Sequence, residues 1–328
     1  MVASVVFVDE GEKMLAVHVP GSGQAAILGE ISPPSASAGE VVIRVRAAGL
    51  NPFDNHIAPG ALEQLIPHLF PLVLGRDVAG VVEAVGDDVT DVSVGDEVLG
   101  HVPFAAPFEA GTLADFAALP ADQVTVKPEG LSFVDAAALP LAAGAARILV
   151  DAIDARPGQV VLVNGASGSV GRFAVQLLAR QGVTVVATAS PASTDRMREL
   201  GATEVVDYTH GSTSAQVLAL FPEGVDALIN LHGWTLEEVP VEAVRLGGIA
   251  RTVTQIPDDA TLAARGLTGG QVMASPGKQI LNSLAEQAAS GAVQVDIART
   301  VPLSGALEAL GDIEAGRLHG KVVVDLTL

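Results

Sequence analysis

The sequence predicts an α/β protein of two domains, one β-rich and one built on a parallel sheet. The chain has 328 residues, which is enough for two domains at about 150 residues each. Up to Asp135, short β-branched runs such as VVIRVRAAGL and DEVLGHV are broken by Gly, Pro and Asp, a pattern typical of an irregular β-rich domain or barrel. After Pro140, strands alternate with helical stretches. This alternation favours a parallel sheet, because parallel strands need crossover connections.

The final run, KVVVDLTL, is expected to return as a strand to the β-rich domain. We therefore assign residues 1–137 and 266–328 to the β-rich domain and residues 138–265 to the parallel-sheet domain. The first strand is predicted at Met14 to Val19. Residues 1–13 precede it, and we expect them to form a flexible extension.

Composition and charge exclude several classes of function. Eighteen basic residues against 38 acidic ones give a formal net charge of −20, which disfavours binding to nucleic acid and to anionic lipid surfaces. The absence of cysteine excludes disulfides, iron–sulfur clusters and thiolate zinc sites. No signal peptide or membrane span is evident in the sequence. We expect a cytoplasmic protein.

The segment VVLVNGASGSVGRFAVQLLARQG places three glycines, Gly165, Gly168 and Gly171, between a β-branched strand and an amphipathic helix. Glycines in this context permit a tight turn and let the backbone approach a pyrophosphate, while the helix N-terminus offers N–H groups to the anion. We therefore predict that a dinucleotide binds here. The other predicted contacts within the turn come from Ser167, Ser169 and Val170. A plain glycine turn is the structural alternative, and the spacing G-x-x-G-x-x-G departs from the commoner G-x-G-x-x-G.

The residues after the next strand, VTVVAT, predict which dinucleotide binds. An NAD-binding chain usually has a carboxylate there for the ribose hydroxyls, but no acidic residue occurs before Asp195. Ser190 and Ser193 are present instead, followed by Arg196, and hydroxyl donors with a cation suit a 2′-phosphate. The prediction is NADPH. The alternative is that Arg196 and Arg198 simply lie on a solvent-facing helix.

Together these residues resemble the medium-chain dehydrogenase/reductase superfamily, specifically its zinc-free quinone-oxidoreductase branch. The resemblance runs from about Met14 to the C-terminus and rests on VRAAGLNPFDNHIAPG, FPLVLGRDVAGVVEAVGDDVTDVSVGDEVLG, the glycine turn, RELGATEVVDY and LEALGDIEAGRLHGKVVVDL. It implies a GroES-like catalytic domain, a doubly wound Rossmann domain, ligands in the interdomain cleft and a homodimer. Zinc-containing relatives carry Cys where this chain has Asn51 and His-Glu where it has Arg76-Asp77, so the resemblance implies no metal.

The resemblance also implies three catalytic candidates. Asn51 matches the family's Asn beside the nicotinamide ribose and the substrate, although it could also only cap its loop. His56 occupies a position where related reductases often present Tyr, and it could donate a proton or be an exposed loop residue. His232 is a departure from the family pattern and is expected to face the substrate.

Four further residues are implied to bind the cofactor, in addition to Asn51. Asn230 ends a strand of the Rossmann sheet, and Tyr208 matches a residue near the adenosine phosphate. Arg317 and Lys321 lie in RLHGK, a segment that approaches the cofactor in relatives. Ordinary packing or surface roles are the alternatives for these side chains.

The predicted function is hydride transfer from NADPH to a quinone or a related conjugated ketone. Because Tyr208 is the only tyrosine, the proton would come from water or a histidine. Ala145 replaces a Thr that the family usually has near the nicotinamide. Two alternatives stay open: an enoyl reductase of a polyketide or other secondary-metabolite intermediate, and a redox-silent member acting as a binding module or non-redox cyclase.

Overall fold

A computed structural model describes residues 12–57, 63, 66–105, 107–108, 110–233, 235–254, 257–318 and 320–328. The chain divides into two compact units, Met1–Leu141 with Ser275–Leu328 and Ala142–Ala274, called the first and second units below. Most of the predicted N-terminal extension lies outside the described residues. The sequence had placed the second boundary at residue 265, but the structure places it later because residues 268–271 form a strand that pairs with the parallel sheet.

The strands are β1 (Met14–Val19), β2 (Ile27–Ile31), β3 (Glu40–Leu50), β4 (Leu72–Val73), β5 (Asp77–Val85), β6 (Glu97–His101), β7 (Phe116–Pro120), β8 (Val124–Val126), β9 (Val160–Asn164), β10 (Thr184–Ala189), β11 (Glu204–Asp207), β12 (Val225–Asn230), β13 (Val244–Thr252), β14 (Thr268–Gln271), β15 (Ile297–Val301) and β16 (Lys321–Asp325). The helices are α1 (Pro52–Ile57), α2 (Phe133–Ala138), α3 (Pro140–Ile153), α4 (Ser169–Arg180), α5 (Thr194–Glu199), α6 (Thr213–Leu220), α7 (Asp259–Ala264), α8 (Lys278–Ala289) and α9 (Ala306–Glu314).

The first unit is a β-rich domain, as predicted. Its larger sheet has the order β15-β16-β3-β5-β6-β8, with β7 also paired to β3, and its smaller sheet has the order β2-β1-β4. The last strand, β16, runs antiparallel to β3 with Val322 opposite Leu50, which confirms the predicted return of the chain. In the same sheet Asp77 stands opposite both Gly49 and His101. The ends of four strands thus bring polar residues together.

The second unit contains the predicted parallel sheet, in the order β11-β10-β9-β12-β13-β14. This order, with the first strand of the unit in the middle, is that of the doubly wound Rossmann fold. The register places Asn230 beside Asn164 on one side and beside Thr252 on the other. Since all these strands are parallel, their carboxyl ends lie side by side. Ligands of such sheets bind at this edge.

Candidate functional site

A buried ionic cluster joins the strand ends of the first unit. Asp77 is fully buried and Lys321 is 1% exposed. The Lys321 ammonium donates hydrogen bonds to Asp77 Oδ2 and to Asn51 Oδ1, each at 2.7 Å, and Asn51 Nδ2 donates to Asp77 Oδ2 at 3.0 Å. The other carboxylate oxygen, Oδ1, accepts from the Leu141 amide at 2.8 Å and lies 3.2 Å from His101 Nδ1. We call these five residues the ionic cluster.

The charges in the ionic cluster stabilise one another. Burial alone would raise the pKa of Asp77, but the positive charge of Lys321 and the hydrogen bond with His101 outweigh it, so that the pKa lies below its usual range. Gly49 makes room for the lysine, because a Cβ there would lie 2.8 Å from Lys321 Cε. Asp77 is therefore an anion at neutral pH, and its ion pair with Lys321 is complete.

The cluster fixes the orientation of the Asn51 side chain. Its amide nitrogen donates to Asp77 and, at 3.3 Å, to the Gly49 carbonyl, while its oxygen accepts from Lys321. An asparagine amide has two N–H donors and an oxygen with two lone pairs. Both donors are used, so the one hydrogen-bonding position left on Asn51 is an acceptor lone pair of Oδ1.

Asp54 lies one helical turn beyond Asn51 and is fully buried. Its Oδ2 accepts the backbone N–H of Asn51 at 2.8 Å, whereas its Oδ1 has no hydrogen-bond partner in the described structure. Burial, together with the negative charge of Asp77, raises the pKa of Asp54 to about 7 against the opposing effects of the Asn51 hydrogen bond, Lys321 and Arg76. Asp54 thus keeps its proton up to near-neutral pH.

In the second unit, the three predicted glycines shape the turn between β9 and α4. Gly165 has a φ of 79°, and a Cβ there would lie 3.2 Å from the Cβ atoms of Leu231 and His232. A Cβ on Gly171 would lie 2.5 Å from the backbone of Ala166. Gly168 is the N-cap of α4 and provides no side-chain cap. The first-turn N–H groups are therefore left to a ligand such as a phosphate, and the turn fits a dinucleotide.

A neutral network of side chains supports this turn at the ends of β9, β10, β12 and β13. Asn164 Nδ2 donates to Asn230 Oδ1 at 2.8 Å, and Asn230 Nδ2 donates to Thr252 Oγ1 at 3.3 Å. The Thr188 hydroxyl donates to Asn164 Oδ1 at 3.3 Å and accepts the Gly165 amide at 2.9 Å. All four side chains are buried. We call them the amide network; it holds the glycine turn without using a formal charge.

The segment after β10 contains no carboxylate in its first residues. Ser190 is the N-cap of a short 3-10 turn that ends at Ser193. Arg196, in α5, forms an ion pair with Glu199 at 2.9 Å. A bound 2′-phosphate would compete with Glu199 for this guanidinium.

Two family models match the chain. The alcohol dehydrogenase GroES-like domain matches residues 37–129, and the zinc-binding dehydrogenase model matches residues 200–324. The first lies in the β-rich unit, and the second covers much of the parallel sheet and the C-terminal segment. Among the described residues, no group of three or more His, Asp or Glu side chains is arranged to hold a metal ion.

The mitochondrial NAD(P)H oxidoreductase RTN4IP1 of Mus musculus is 32% identical to this chain, over 88% of the chain and 82% of the relative. The chain belongs to the medium-chain dehydrogenase/reductase superfamily. As a member of this superfamily it is an oxidoreductase.

Solved structures place it in the quinone-oxidoreductase branch of that superfamily. The quinone oxidoreductase from Coxiella burnetii has a TM-score of 0.86 and 26% identity, covering 96% of this chain and all of the other. A mycobacterial protein complexed with NADPH has a TM-score of 0.82 and 27% identity, covering 95% of this chain and 99% of the other. The predicted GroES-like and Rossmann fold is confirmed.

The structure of this superfamily member collects the sequence-predicted site residues into two groups, one in each unit. Asn51 and Lys321 meet in the ionic cluster. The second group consists of the turn residues Gly165, Ser167, Gly168, Ser169, Val170 and Gly171, with Asn230 and His232 beside them. His232 is exposed next to the turn, and its backbone carbonyl accepts from Asn164 at 3.2 Å. The cofactor contact predicted for Lys321 stays a prediction, since its ammonium is bonded within the first unit.

Three predicted residues lie at the surface. His56 is exposed in the last turn of α1, and Tyr208, just after β11, is 46% exposed. Arg317 forms a double hydrogen bond with Asp312 at 2.6 and 2.8 Å. Their proposed contacts with substrate or cofactor stay predictions.

Sequence reasoning did not find Asp54 or His101 in the first unit, nor Asn164, Thr188 and Thr252 in the second. In the second unit a signal was available, because four strands, β9, β10, β12 and β13, each have an Asn or a Thr as their last or second-to-last residue. In the first unit the pairing partners are distant in sequence, so no local pattern indicates them.

Proposed function

We propose that this oxidoreductase transfers hydride from NADPH to a quinone or a related conjugated ketone. The observation that carries the proposal is the glycine turn with its uncapped helix N-terminus, followed after β10 by Ser190 and Ser193 instead of a carboxylate. The turn suits a pyrophosphate, and the hydroxyl groups with Arg196 suit a 2′-phosphate. A quinone acceptor is supported by the similarity to the quinone oxidoreductase from Coxiella burnetii, and NADPH by the similarity to the mycobacterial protein that was solved in complex with it.

Binding of NADPH would be divided between backbone and side chains of the second unit. The N–H groups of Ser169 and Val170 in the first turn of α4 would hold the pyrophosphate. Tyr208 would lie near the adenosine phosphate. Asn230 would lie near the nicotinamide. The amide network, to which Asn230 belongs, adds no negative charge that could repel the phosphates of the cofactor.

In the first unit, Asn51 would orient the reacting groups. Because its remaining hydrogen-bonding position is an Oδ1 lone pair, Asn51 accepts a hydrogen bond and does not donate one while the ionic cluster is intact. It therefore suits a hydroxyl donor such as a ribose O–H. When bound, NADPH supplies the hydride, and the protein contributes positioning and hydrogen bonds. The proton would reach the reduced acceptor from water or from an exposed histidine such as His56 or His232.

The test is NADPH consumption by the purified protein, followed by absorbance, with 1,4-naphthoquinone and with 2-cyclohexenone, and with NADH in parallel. We expect faster turnover with the quinone and a higher kcat/KM with NADPH than with NADH. Preferential turnover of the enone would favour the enoyl-reductase alternative. NADPH binding without turnover of any acceptor would favour a redox-silent protein, and a preference for NADH would contradict the cofactor assignment.

A charge substitution sharpens the cofactor test. Ser190→Asp places a carboxylate where NAD-dependent proteins usually have one, and we expect it to lower kcat/KM for NADPH while sparing that for NADH. Ser290→Asp, a change of the same type at the end of α8 in the first unit, is the matched control. Equal effects of the two substitutions on the NADPH-to-NADH ratio would contradict the role of Ser190.

We also propose a homodimer in the cytoplasm. No helix in the described ranges is long and apolar enough to span a bilayer. The mouse relative is named as a mitochondrial protein, so the mitochondrion is the alternative compartment. Sedimentation of the purified protein measures its mass in solution, and fractionation of its native cells locates it.

A further inference from the structure

Arg76 lies in a cluster of aromatic rings in the first unit. Its side chain is buried, at 4% exposure, and its guanidinium carbon lies 5.3 Å from the ring centroids of Phe53 and Phe108 and 5.8 Å from that of Phe104. The three rings meet edge to face at centroid distances of 5.1 to 6.5 Å. We call these four residues the arginine–phenylalanine cluster. Each ring offers a favourable cation–π contact to the guanidinium.

The guanidinium makes no hydrogen bond or ion pair with the part of the chain that the structure describes. A buried arginine has five N–H donors, and burial of a charge without hydrogen bonds is costly. The oxygens of the neighbouring Asp77 are occupied by the ionic cluster. In contrast to Asp54 Oδ1, no nitrogen of Arg76 is both sealed from solvent and unpaired. Its donors are therefore accessible to a small polar group from outside the chain.

The surrounding charges keep Arg76 cationic at neutral pH. Burial lowers the pKa of Arg76 to about 10, against the opposing effects of Asp54 and Asp77. The guanidinium is thus a fixed positive charge with free, planar donors in a poorly hydrated place. Electrostatic stabilisation by such groups is strongest where water is excluded.

Arg76 is linked through its neighbours to Asn51, the residue that we expect to orient the reaction. It directly precedes Asp77, the centre of the ionic cluster, and Phe53 follows Asn51 by two positions. Since both N–H donors of Asn51 are used, a hydrogen bond to an acceptor oxygen has to come from another side chain. Arg76 is a buried donor that makes no hydrogen bond within the described residues.

Resting on the proposed function, we propose that Arg76 donates hydrogen bonds to a carbonyl oxygen of a planar, aromatic acceptor of the quinone class. The rings of the arginine–phenylalanine cluster pack against the acceptor, and Phe104, 37% exposed, offers its face. On reduction the acceptor gains hydride, with both electrons, from the dihydronicotinamide, which is oxidised. The acceptor oxygen becomes an anion that Arg76 stabilises, and a proton from solvent then neutralises it.

The experiment compares Arg76→Met with the wild-type holoenzyme in two measurements. In turnover of 1,4-naphthoquinone, we expect kcat/KM to fall about 100-fold, the effect of removing one oxyanion donor. The Kd for NADPH should stay within about twofold of wild type, because most of the contacts proposed for NADPH lie in the second unit and none is with Arg76. In equilibrium binding, the anionic 2-hydroxy-1,4-naphthoquinone is the probe, and we expect its Kd to rise about tenfold on loss of a charge-assisted hydrogen bond.

Arg44→Met is the matched control. The Arg44 guanidinium also lies over an aromatic ring, that of Phe116, at 4.7 Å. It is more exposed, however, and it is already bonded to Glu83 at 2.9 and 3.0 Å. The same substitution there should leave turnover and probe binding unchanged.

Four outcomes separate this inference from the proposed function. If Arg76→Met loses quinone turnover and probe binding but keeps the circular dichroism spectrum of the wild type, the result supports the role of Arg76 and the proposed reductase function. Unchanged readouts in a folded Arg76→Met, from an active wild type, overturn the role of Arg76 alone. If the wild type is inactive but binds the probe through Arg76, the result contradicts the reductase function and supports the anion site. If the wild type neither turns over the quinone nor binds the probe, both the reductase function and the role of Arg76 are contradicted. Should Arg76→Met not fold, Arg76→Lys, which keeps the charge but not the planar fork, must still weaken probe binding at least fivefold.

Discussion

The two units stabilise buried polar groups in opposite ways. In the first unit, Asp77 and Lys321 are charged and meet at 2.7 Å with almost no exposure. In the second unit, the corresponding strand ends carry only amides and hydroxyls, joined by bonds of 2.8 to 3.3 Å. Removing one partner from a buried ion pair leaves a buried charge without a counterion. Removing one neutral hydroxyl leaves only an unsatisfied hydrogen-bonding group, which costs less free energy. The first unit should therefore be much less tolerant of substitution.

The difference also suits the two ligands that we propose. NADPH brings several negative charges, so a neutral network behind the glycine turn avoids repulsion and leaves attraction to the amides of α4. The acceptor is uncharged before reduction. The fixed charges of the ionic cluster can therefore orient Asn51 in the first unit. The charge of Arg76 can stabilise the negative charge that develops on the acceptor during reduction.

The largest expected effect is that of Lys321→Met. It leaves Asp77 buried without its cation, which should cost about 3 to 5 kcal/mol in the free energy of unfolding. Urea denaturation measures it. Arg317→Met, at an exposed arginine four positions earlier, is the control and should stay within about 0.5 kcal/mol of wild type.

The double variant Asp77→Asn with Lys321→Met tests the reason for that loss. Because it removes both charges, it should recover part of the stability lost in Lys321→Met alone. If the double variant were less stable than Lys321→Met, charge pairing between Asp77 and Lys321 would not be the cause of the loss.

The second prediction concerns pH. Asp54 has a pKa of about 7 in the folded protein against 3.8 in the unfolded chain. Between these values the folded state holds a proton that the unfolded chain releases, so stability falls as pH rises from about 4 to 7. Asp54→Asn, which keeps an acceptor for the Asn51 amide, should flatten this part of the profile and be the more stable form above pH 7.

Thermal unfolding in buffers from pH 4 to pH 8 measures the profile. The charged neighbours Asp77 and Arg76 do not titrate in this range, because the pKa of Asp77 lies below its usual range and that of Arg76 is about 10. Asp96→Asn serves as the comparison, because the Asp96 carboxylate also accepts a backbone N–H, that of Ser93, but at a partly exposed turn. Parallel profiles for wild type and Asp54→Asn would contradict a raised pKa at Asp54.

The third prediction tests the glycine turn in the second unit. Gly171→Ala places a Cβ 2.5 Å from Ala166 backbone atoms, so the turn must shift, at a cost of about 1 to 3 kcal/mol and with weaker NADPH binding. At Gly168 a Cβ would approach only the Gly165 carbonyl, at 3.3 Å, and Gly168→Ala should fold normally. Fluorescence titration with NADPH and urea denaturation of both variants decide; equal losses would contradict this account.

The smallest effect is expected in the amide network. Thr252→Val removes a hydroxyl 3.3 Å from Asn230 Nδ2, but the Thr254 hydroxyl also lies 3.4 Å from that nitrogen. We expect a loss of about 1 kcal/mol in the free energy of unfolding. A loss as large as that of Lys321→Met would remove the contrast between the two units.

Much of the second unit's site follows from the sequence, because it is local. The glycine turn, its strand and its helix occupy one continuous segment, and residue periodicity indicates where the strand ends and the helix begins. The amide network is less evident, since Asn164, Thr188, Asn230 and Thr252 become neighbours only when the parallel strands align. A polar residue at each strand end is the only local sign of it.

By itself the sequence determined the two-domain α/β fold, the glycine turn and the absence of cysteine, since periodicity, glycine spacing and composition are properties of short segments or of the whole chain. Tertiary structure alone decided the rest of the first unit's site. Lys321 is 244 positions from Asp77 and 270 from Asn51, and they meet because β16 pairs with β3 beside the start of β5. Burial, which comes from packing, turned Arg76 into a desolvated cation and, together with the charge of Asp77, moved the pKa of Asp54 towards neutrality.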